Sequence, residues 1–243
     1  METLTTHTDL DYLRTIDQQG LYRPNELVTE QLGEKTLLLL VGPAAVGKST
    51  IQKEAESWFI GRVRSFTTRP PRADDDPNLY EYLANTPETL ANLRNEVEQG
   101  NLVQLATHPE APYLYGSRIE AYRSELNSLD MLSGQVAAMR QLPAKQVLTY
   151  CIVADAETWG SRITARYPDP ANEDRQKRLR EAQRSLGWAL ADEDIIWISN
   201  NEGEYREAAR TLVTTASGTN ASYAFDGRPF AQAMITKAEE LLR

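Results

Sequence analysis

The chain has 243 residues, 41% of them hydrophobic and 25% charged, the balance of a soluble globular protein. That length holds one sizeable α/β domain, or one with a lid and terminal extensions, and is cramped for two full domains. The net charge of −9, from 26 Lys and Arg against 35 Asp and Glu, argues against a general nucleic-acid binder, whereas an enzyme for small anions needs only local positive charge.

No apolar run approaches the roughly 20 residues that span a bilayer, so no membrane partner is expected. The N-terminal METLTTHTDLDYL has neither the basic nor the apolar region of a signal peptide, and a cytoplasmic location is expected. The single cysteine, Cys151, sits in the apolar stretch Val147 to Val153 and reads as a core residue. His7 and His108 are too far apart in sequence to form a zinc constellation.

In chain order, residues 1 to 34 predict two short helices, Asp9 to Gln19 and Glu26 to Leu32, the second capped by Asn25. Leu37 to Val41 is an unbroken apolar run, as expected of a parallel strand buried on both faces. The next residues, Gly42-Pro-Ala-Ala45-Val46-Gly47-Lys48-Ser49-Thr50, fit G-x-x-x-x-G-K-[ST], which wraps backbone N–H groups around polyphosphate. Gly42 and Gly47 let the chain turn and bring amides close to phosphate oxygens. Lys48 would reach the β and γ oxygens, Ser49 would ligate Mg²⁺, and the helix starting there adds its positive end.

That helix is predicted to continue through Ile51 to Phe59, and Arg62 to Phe66 predicts a short strand. Prolines and ADDDPN exclude helix after it, which places Arg69 and Arg72 on an extended loop. Two guanidinium groups three residues apart either fork around a phosphate monoester or form a solvated basic loop. Tyr80 to Leu83 alternates like an edge strand, Thr86-Pro87 opens a helix that stops at Gly100, and Asn101 to Ala106 and Tyr113 to Ser117 read as strands. Arg118 to Asn127 predicts a helix, Leu129 to Leu132 a strand, Gly134 to Gln141 a helix and Val147 to Val153 a strand. Helices follow at Glu157 to Arg166 and Asn172 to Ala191, a stretch crowded with Arg162, Arg166, Arg175, Lys177, Arg178, Arg180 and Arg184. Such a run is either a solvated face or a lid that closes arginines onto phosphate. Ile195 to Ser199 predicts the last strand before Asn200, and Glu202 to Thr214 and Pro229 to Leu242 predict the closing helices.

The order of these motifs, a phosphate loop, SFTTRPPR, a β-rich insertion ending in Tyr-Gly-Ser, an R-x-x-x-R helix, RLREAQ and a strand ending in Asn, resembles the guanylate kinase family over about residues 36 to 214. The resemblance implies an α/β P-loop NTPase fold, a parallel sheet flanked by helices, with an NMP-binding β-rich insertion and a helical lid. It divides the chain into an N-terminal extension (1–35), a core (36–66, 118–156, 192–214), an NMP-binding part (67–117), a lid (157–191) and a C-terminal extension (215–243). It implies ATP- and Mg²⁺-dependent phosphoryl transfer to a nucleoside monophosphate, GMP or dGMP. The phosphate loop from Gly42 through Ala45, Val46, Gly47, Lys48, Ser49 and Thr50 would hold ATP and its Mg²⁺, with Asn200 at the adenine. Ser65, Arg69, Arg72, Tyr80, Tyr115 and Ser117 would surround the monophosphate. Arg162, Arg166 and Arg178 would join Lys48 in neutralising the transferred group.

Two departures concern the base. Gln104 stands where the family has a glutamate that accepts from guanine, and Asp130-Met-Leu132-Ser133 stands where it has Asp-Ile-Asp. An amide offers one acceptor and one donor to an edge that presents donors. Two further readings therefore stand beside the first: a kinase for another phosphate monoester, a modified nucleotide or a sugar phosphate, and a non-catalytic interaction module on the same fold.

Overall fold

A computed structural model describes residues 8–71, 80–107, 111–220 and 222–243. Arg72, His7 and His108 lie outside the described residues. The chain forms two compact units, one of Met1–Lys35, Val63–Arg123 and Ala138–Lys145, the other of Thr36–Arg62, Ser124–Ala137 and Gln146–Arg243.

The first unit opens with helices α1 (Asp9–Gln18) and α2 (Glu26–Leu32), capped by Thr8 and Asn25. The second contributes strand β1 (Thr36–Val41), helix α3 (Lys48–Glu56) and strand β2 (Ile60–Arg62). The first unit resumes with β3 (Ser65–Thr67), β4 (Tyr80–Tyr82), α4 (Pro87–Glu98), β5 (Leu102–Thr107) and β6 (Leu114–Arg118). The second unit follows with β7 (Leu126–Asp130), and the short helix α5 (Val136–Arg140) crosses from one unit to the other. The remainder belongs to the second unit: β8 (Gln146–Val153), α6 (Ala156–Arg166), α7 (Glu173–Ala191), β9 (Ile195–Ser199), α8 (Tyr205–Ala216) and α9 (Arg228–Leu242).

Among the described residues, the second unit's sheet runs β2-β7-β1-β8-β9, every neighbouring pair parallel. All of β1 is buried, because helices cover both of its faces and solvated side chains have no place there. With β7 and β8 on its two sides, β1 delivers residues 42–47 outside the carboxyl end of the sheet, the usual ligand position in such folds. Helices α3 and α8 pack together on the sheet, and α6, α7 and α9 form a second group.

The first unit's sheet runs β4-β3-β6-β5. Its registers pair Ser65 with Tyr80, Thr67 with Tyr82 and Tyr115, and Gln104 with Ser117. Side chains alternate along a strand, so these residues share one face. The other face carries Phe66, Leu105 and Leu114, which pack with Leu13 of α1 and Leu93 and Val97 of α4.

Two elements differ from the sequence expectation. Arg118 to Asn127 is no helix; it holds a short 3-10 turn at Ile119–Ala121 before β7 begins. The Asn127 amide competes for the backbone there, donating to the Ser124 carbonyl at 2.7 Å and accepting from the Ser124 N–H at 3.2 Å. Arg62 to Phe66 is also two strands, β2 in one sheet and β3 in the other, and the unit boundary falls between them.

Candidate functional site

In the second unit, residues 42–47 turn through left-handed backbone at Gly42 (φ 138), Ala45 (φ 63) and Gly47 (φ 99). A Cβ at position 42 would lie 2.7 Å from the Ile152 carbonyl oxygen, and one at 47 would collide with the Asn200 amide nitrogen. Only glycine fits either place. The helix α3 begins at Lys48 with Ser49 and Thr50 exposed in its first turn, so its unsatisfied N–H groups and its positive end face the loop.

The Lys48 ammonium donates to the carbonyls of Gly42 at 2.7 Å and Pro43 at 3.2 Å and lies 3.7 Å from the Asp130 carboxylate at the end of β7. Desolvation pushes the Asp130 carboxyl above the usual aspartate range; Lys48 pulls it down and Glu181 pushes it up. Glu181 in turn pairs with Arg178 at 2.6 Å, which links Arg178 electrostatically to the loop's charges.

Asn200, only 3% exposed, donates from its side-chain amide to the Val46 carbonyl at 2.7 Å, so it braces the phosphate loop, and its Oδ1 is buried without a partner. Arg162 donates to the carbonyls of Asn200 at 2.7 Å and Asn201 at 3.0 Å, whereas Arg166 is exposed beside the Tyr167 ring. Among the described residues no cluster of three His, Cys, Asp or Glu could hold a metal. The Ser49 hydroxyl and the Asp130 carboxylate are hard oxygen donors of the kind Mg²⁺ takes together with phosphate oxygens and water, and they fit it.

The predicted acceptor residues, Arg72 aside, lie together in the first unit. The two threonines of Ser65-Phe-Thr-Thr68-Arg69 fix the arginine. Thr67 donates its hydroxyl to the Leu114 carbonyl at 3.0 Å and accepts the Arg69 N–H at 3.1 Å, while Thr68 accepts the Leu114 N–H at 2.9 Å. The Arg69 side chain follows its backbone inward: the residue is 6% exposed, and its guanidinium lies 5.7 Å and 5.8 Å from the Tyr80 and Tyr82 ring centroids. Tyr115 stands edge-on to Tyr80 at 6.1 Å. Ser117 shares a hydrogen bond of 2.8 Å with the fully buried Tyr122 hydroxyl, and Gln104 beside it has a buried Oε1 without a partner.

Sequence reasoning missed Asp130 as the partner of Lys48, although an aspartate at the carboxyl end of a strand was the available signal. It also missed Trp159, whose indole N–H donates to the Ala44 carbonyl at 2.9 Å; a lone tryptophan on an amphipathic helix carries no such signal.

A parallel sheet with a glycine-bracketed loop and Lys-Ser after its central strand defines the class of P-loop α/β folds. Within that class the fold is of guanylate kinase type. The chain is similar to the crystal structure of guanylate kinase from Anaplasma phagocytophilum, with a TM-score of 0.51 and 14% sequence identity over 78% of this chain and 88% of that one. No family model and no curated protein sequence matches it. Among the described residues no helix is long and apolar enough to cross a membrane.

Proposed function

We propose that this chain is an ATP- and Mg²⁺-dependent kinase acting on a nucleoside monophosphate, with GMP or dGMP accepted and the base read less strictly than two carboxylates would read it. The observation that carries this reading is the buried Arg69, locked by Thr67 and Thr68 into a cluster of tyrosines, on a chain that also has the complete Lys48, Ser49 and Asp130 set at a phosphate loop. A guanidinium held over tyrosine rings, with Ser65 on the same sheet face, suits an acceptor phosphate.

Ser49 and Asp130 would hold Mg²⁺, which when bound would supply charge neutralisation to the phosphates of ATP. Gly42 through Gly47 would present backbone N–H groups to the phosphates, and Lys48 would neutralise charge developing on the transferred group. Arg162, Arg166 and Arg178 would help to neutralise that charge. Positioning and electrostatics suffice, and no covalent intermediate on the protein is required.

A second acceptor class, a modified nucleotide or sugar phosphate, is favoured by one observation: Gln104 offers an amide whose oxygen is buried and unpartnered where a guanine reader would place a carboxylate. The paired Lys48 and Asp130 weigh against an interaction module, which has no use for them. The test is ADP release measured across a panel of nucleoside and sugar monophosphates, with Lys48→Ala as control. Turnover with GMP or dGMP, lost in the variant, supports the proposal. Turnover only with an acceptor that has no nucleobase moves the assignment to the second class, and ATP binding with no turnover on any acceptor overturns it.

A further inference from the structure

Helix α6 begins beside the phosphate loop, and its Trp159 is wholly buried. The indole N–H donates to the Ala44 carbonyl at 2.9 Å, one residue before Ala45, which holds φ at 63 in spite of its Cβ. Left-handed backbone at a residue other than glycine costs about 1 kcal/mol and persists where its surroundings impose it. A buried indole does not by itself demand an acceptor in this fold: Trp197 in the same unit is 3% exposed, and its Nε1 is buried with no partner.

Helix α6 is in turn held from two sides. Arg162 is bonded to the backbone after β9, as described above. On the other flank lies α9, the C-terminal extension, with Lys237 2.7 Å from the Glu157 carboxylate and its stem against Gly160, where a Cβ would lie 3.0 Å from Cε. Met234 of α9 accepts the Ala154 N–H through its sulfur at 3.4 Å, just ahead of α6.

We propose that Trp159 is a positioning residue for the ATP phosphates. Its indole N–H holds the Ala44–Ala45 peptide in the orientation that forms the loop's anion-binding concavity, and α9 seats the helix that carries it. The start of α6 is thereby fixed wall of the donor site rather than moving lid. The inference rests on the reading of residues 42–49 as the ATP phosphate loop.

The test uses the full-length protein and equilibrium titration with a fluorescent ATP analogue and Mg²⁺, in parallel with titration by GMP. Trp159→Phe keeps an aromatic ring and removes the donor; ATP-analogue affinity is expected to fall about fivefold or more, with GMP affinity unchanged. Trp197→Phe makes the same change where there is no bond and is expected to leave both affinities as in wild type. If Trp159→Phe fails to fold, benzothienylalanine at position 159 keeps the bicyclic shape without the N–H, and the same outcomes apply. Wild-type ATP affinity in the donorless variant, or an equal loss for ATP and GMP, overturns the positioning role. Wild-type protein that binds no ATP overturns the proposed function and this inference with it.

Discussion

In the proposed function the donor chemistry depends on Lys48 and Asp130, and their energetics differ. Lys48 is a flexible cation resting on loop carbonyls, and the loop's shape comes from Gly42 and Gly47. Lys48→Ala is therefore expected to lower kcat about 100-fold or more while leaving the melting temperature within a few degrees of wild type. Asp130 ends β7 with its side chain 31% exposed, and desolvation raises its carboxyl against the opposing pull of Lys48. A raised carboxyl contributes stability below the usual aspartate range that is lost as pH rises through the raised value, and at this exposure solvent screening keeps the effect at pH 7 small. Under the proposed function Asp130→Asn should leave Tm near wild type and lower turnover about tenfold or more, with a higher Mg²⁺ requirement. Calorimetry and a Mg²⁺ titration of activity check the two halves, and a fall in both Tm and turnover would assign Asp130 a structural role. On the acceptor side, Arg69→Ala should raise the KM for the monophosphate roughly 30-fold, the equivalent of about 2 kcal/mol for a desolvated charged contact, and spare the KM for ATP. Gln104→Glu should sharpen the preference for GMP over AMP and IMP, which competitive turnover assays read directly.

The element of greatest consequence for the acceptor side is β5, an edge strand. Unpaired edges invite wrong pairing, and here the N-terminal helix and the segment after it cover this one. The Tyr22 hydroxyl accepts the Leu102 N–H at 2.8 Å and donates to the Leu102 carbonyl at 2.5 Å, while Asp17 accepts both the N–H and the hydroxyl of Thr107 at 2.7 Å and 2.6 Å. The strand carrying Gln104 is thus pinned at both ends by residues of the N-terminal extension. Asp17→Ala should cost about 2 to 3 kcal/mol in denaturant unfolding, since two donors lose a charged acceptor. Burial pushes the Tyr22 phenol up to about 12, so its stabilisation is complete below the ordinary tyrosine value and is lost as pH rises from there toward about 12. Unfolding of wild type and Tyr22→Phe at rising pH should therefore converge above pH 10; curves that stay parallel would mean that folding does not shift the phenol.

At the scale of the molecule, the proposed function gives each unit one nucleotide. The second unit contains Lys48, Ser49, Asp130 and Asn200, and the first contains Ser65, Arg69, Tyr80, Gln104 and Tyr115. Hydrogen exchange should show amides around 42–50 and 199–201 protected by an ATP analogue, and amides of β3, β5 and β6 protected by GMP. Lys48→Ala should remove only the first pattern. Protection of both sets by either ligand alone would contradict the assignment. With a net charge of −9, attraction for nucleotides has to be local, so under the proposed function KM for both substrates should rise with ionic strength as the local arginines and lysine are screened.

What the sequence by itself determined is whatever depends on neighbours in the chain. The buried strand of Leu37 to Val41, the loop from Gly42 to Ser49 and the caps at Asn25 and Thr86 follow from local sterics, hydrogen bonding and hydrophobic period. The resemblance carried by those motifs extended the reading to a fold of guanylate kinase type. Only the tertiary structure decided what depends on distant partners. The Trp159 indole meets a carbonyl 115 residues away, and the Asn200 amide meets one 154 residues away. Lys48 meets Asp130, and Leu13 of the N-terminal extension is buried in the core of the first unit. The same holds for the split of Arg62 to Phe66 between two sheets and for the Asn127 side chain that replaces a helix with a turn and a strand. Strand order and side-chain hydrogen bonds between distant segments arise when the chain closes on itself, and no local pattern encodes them.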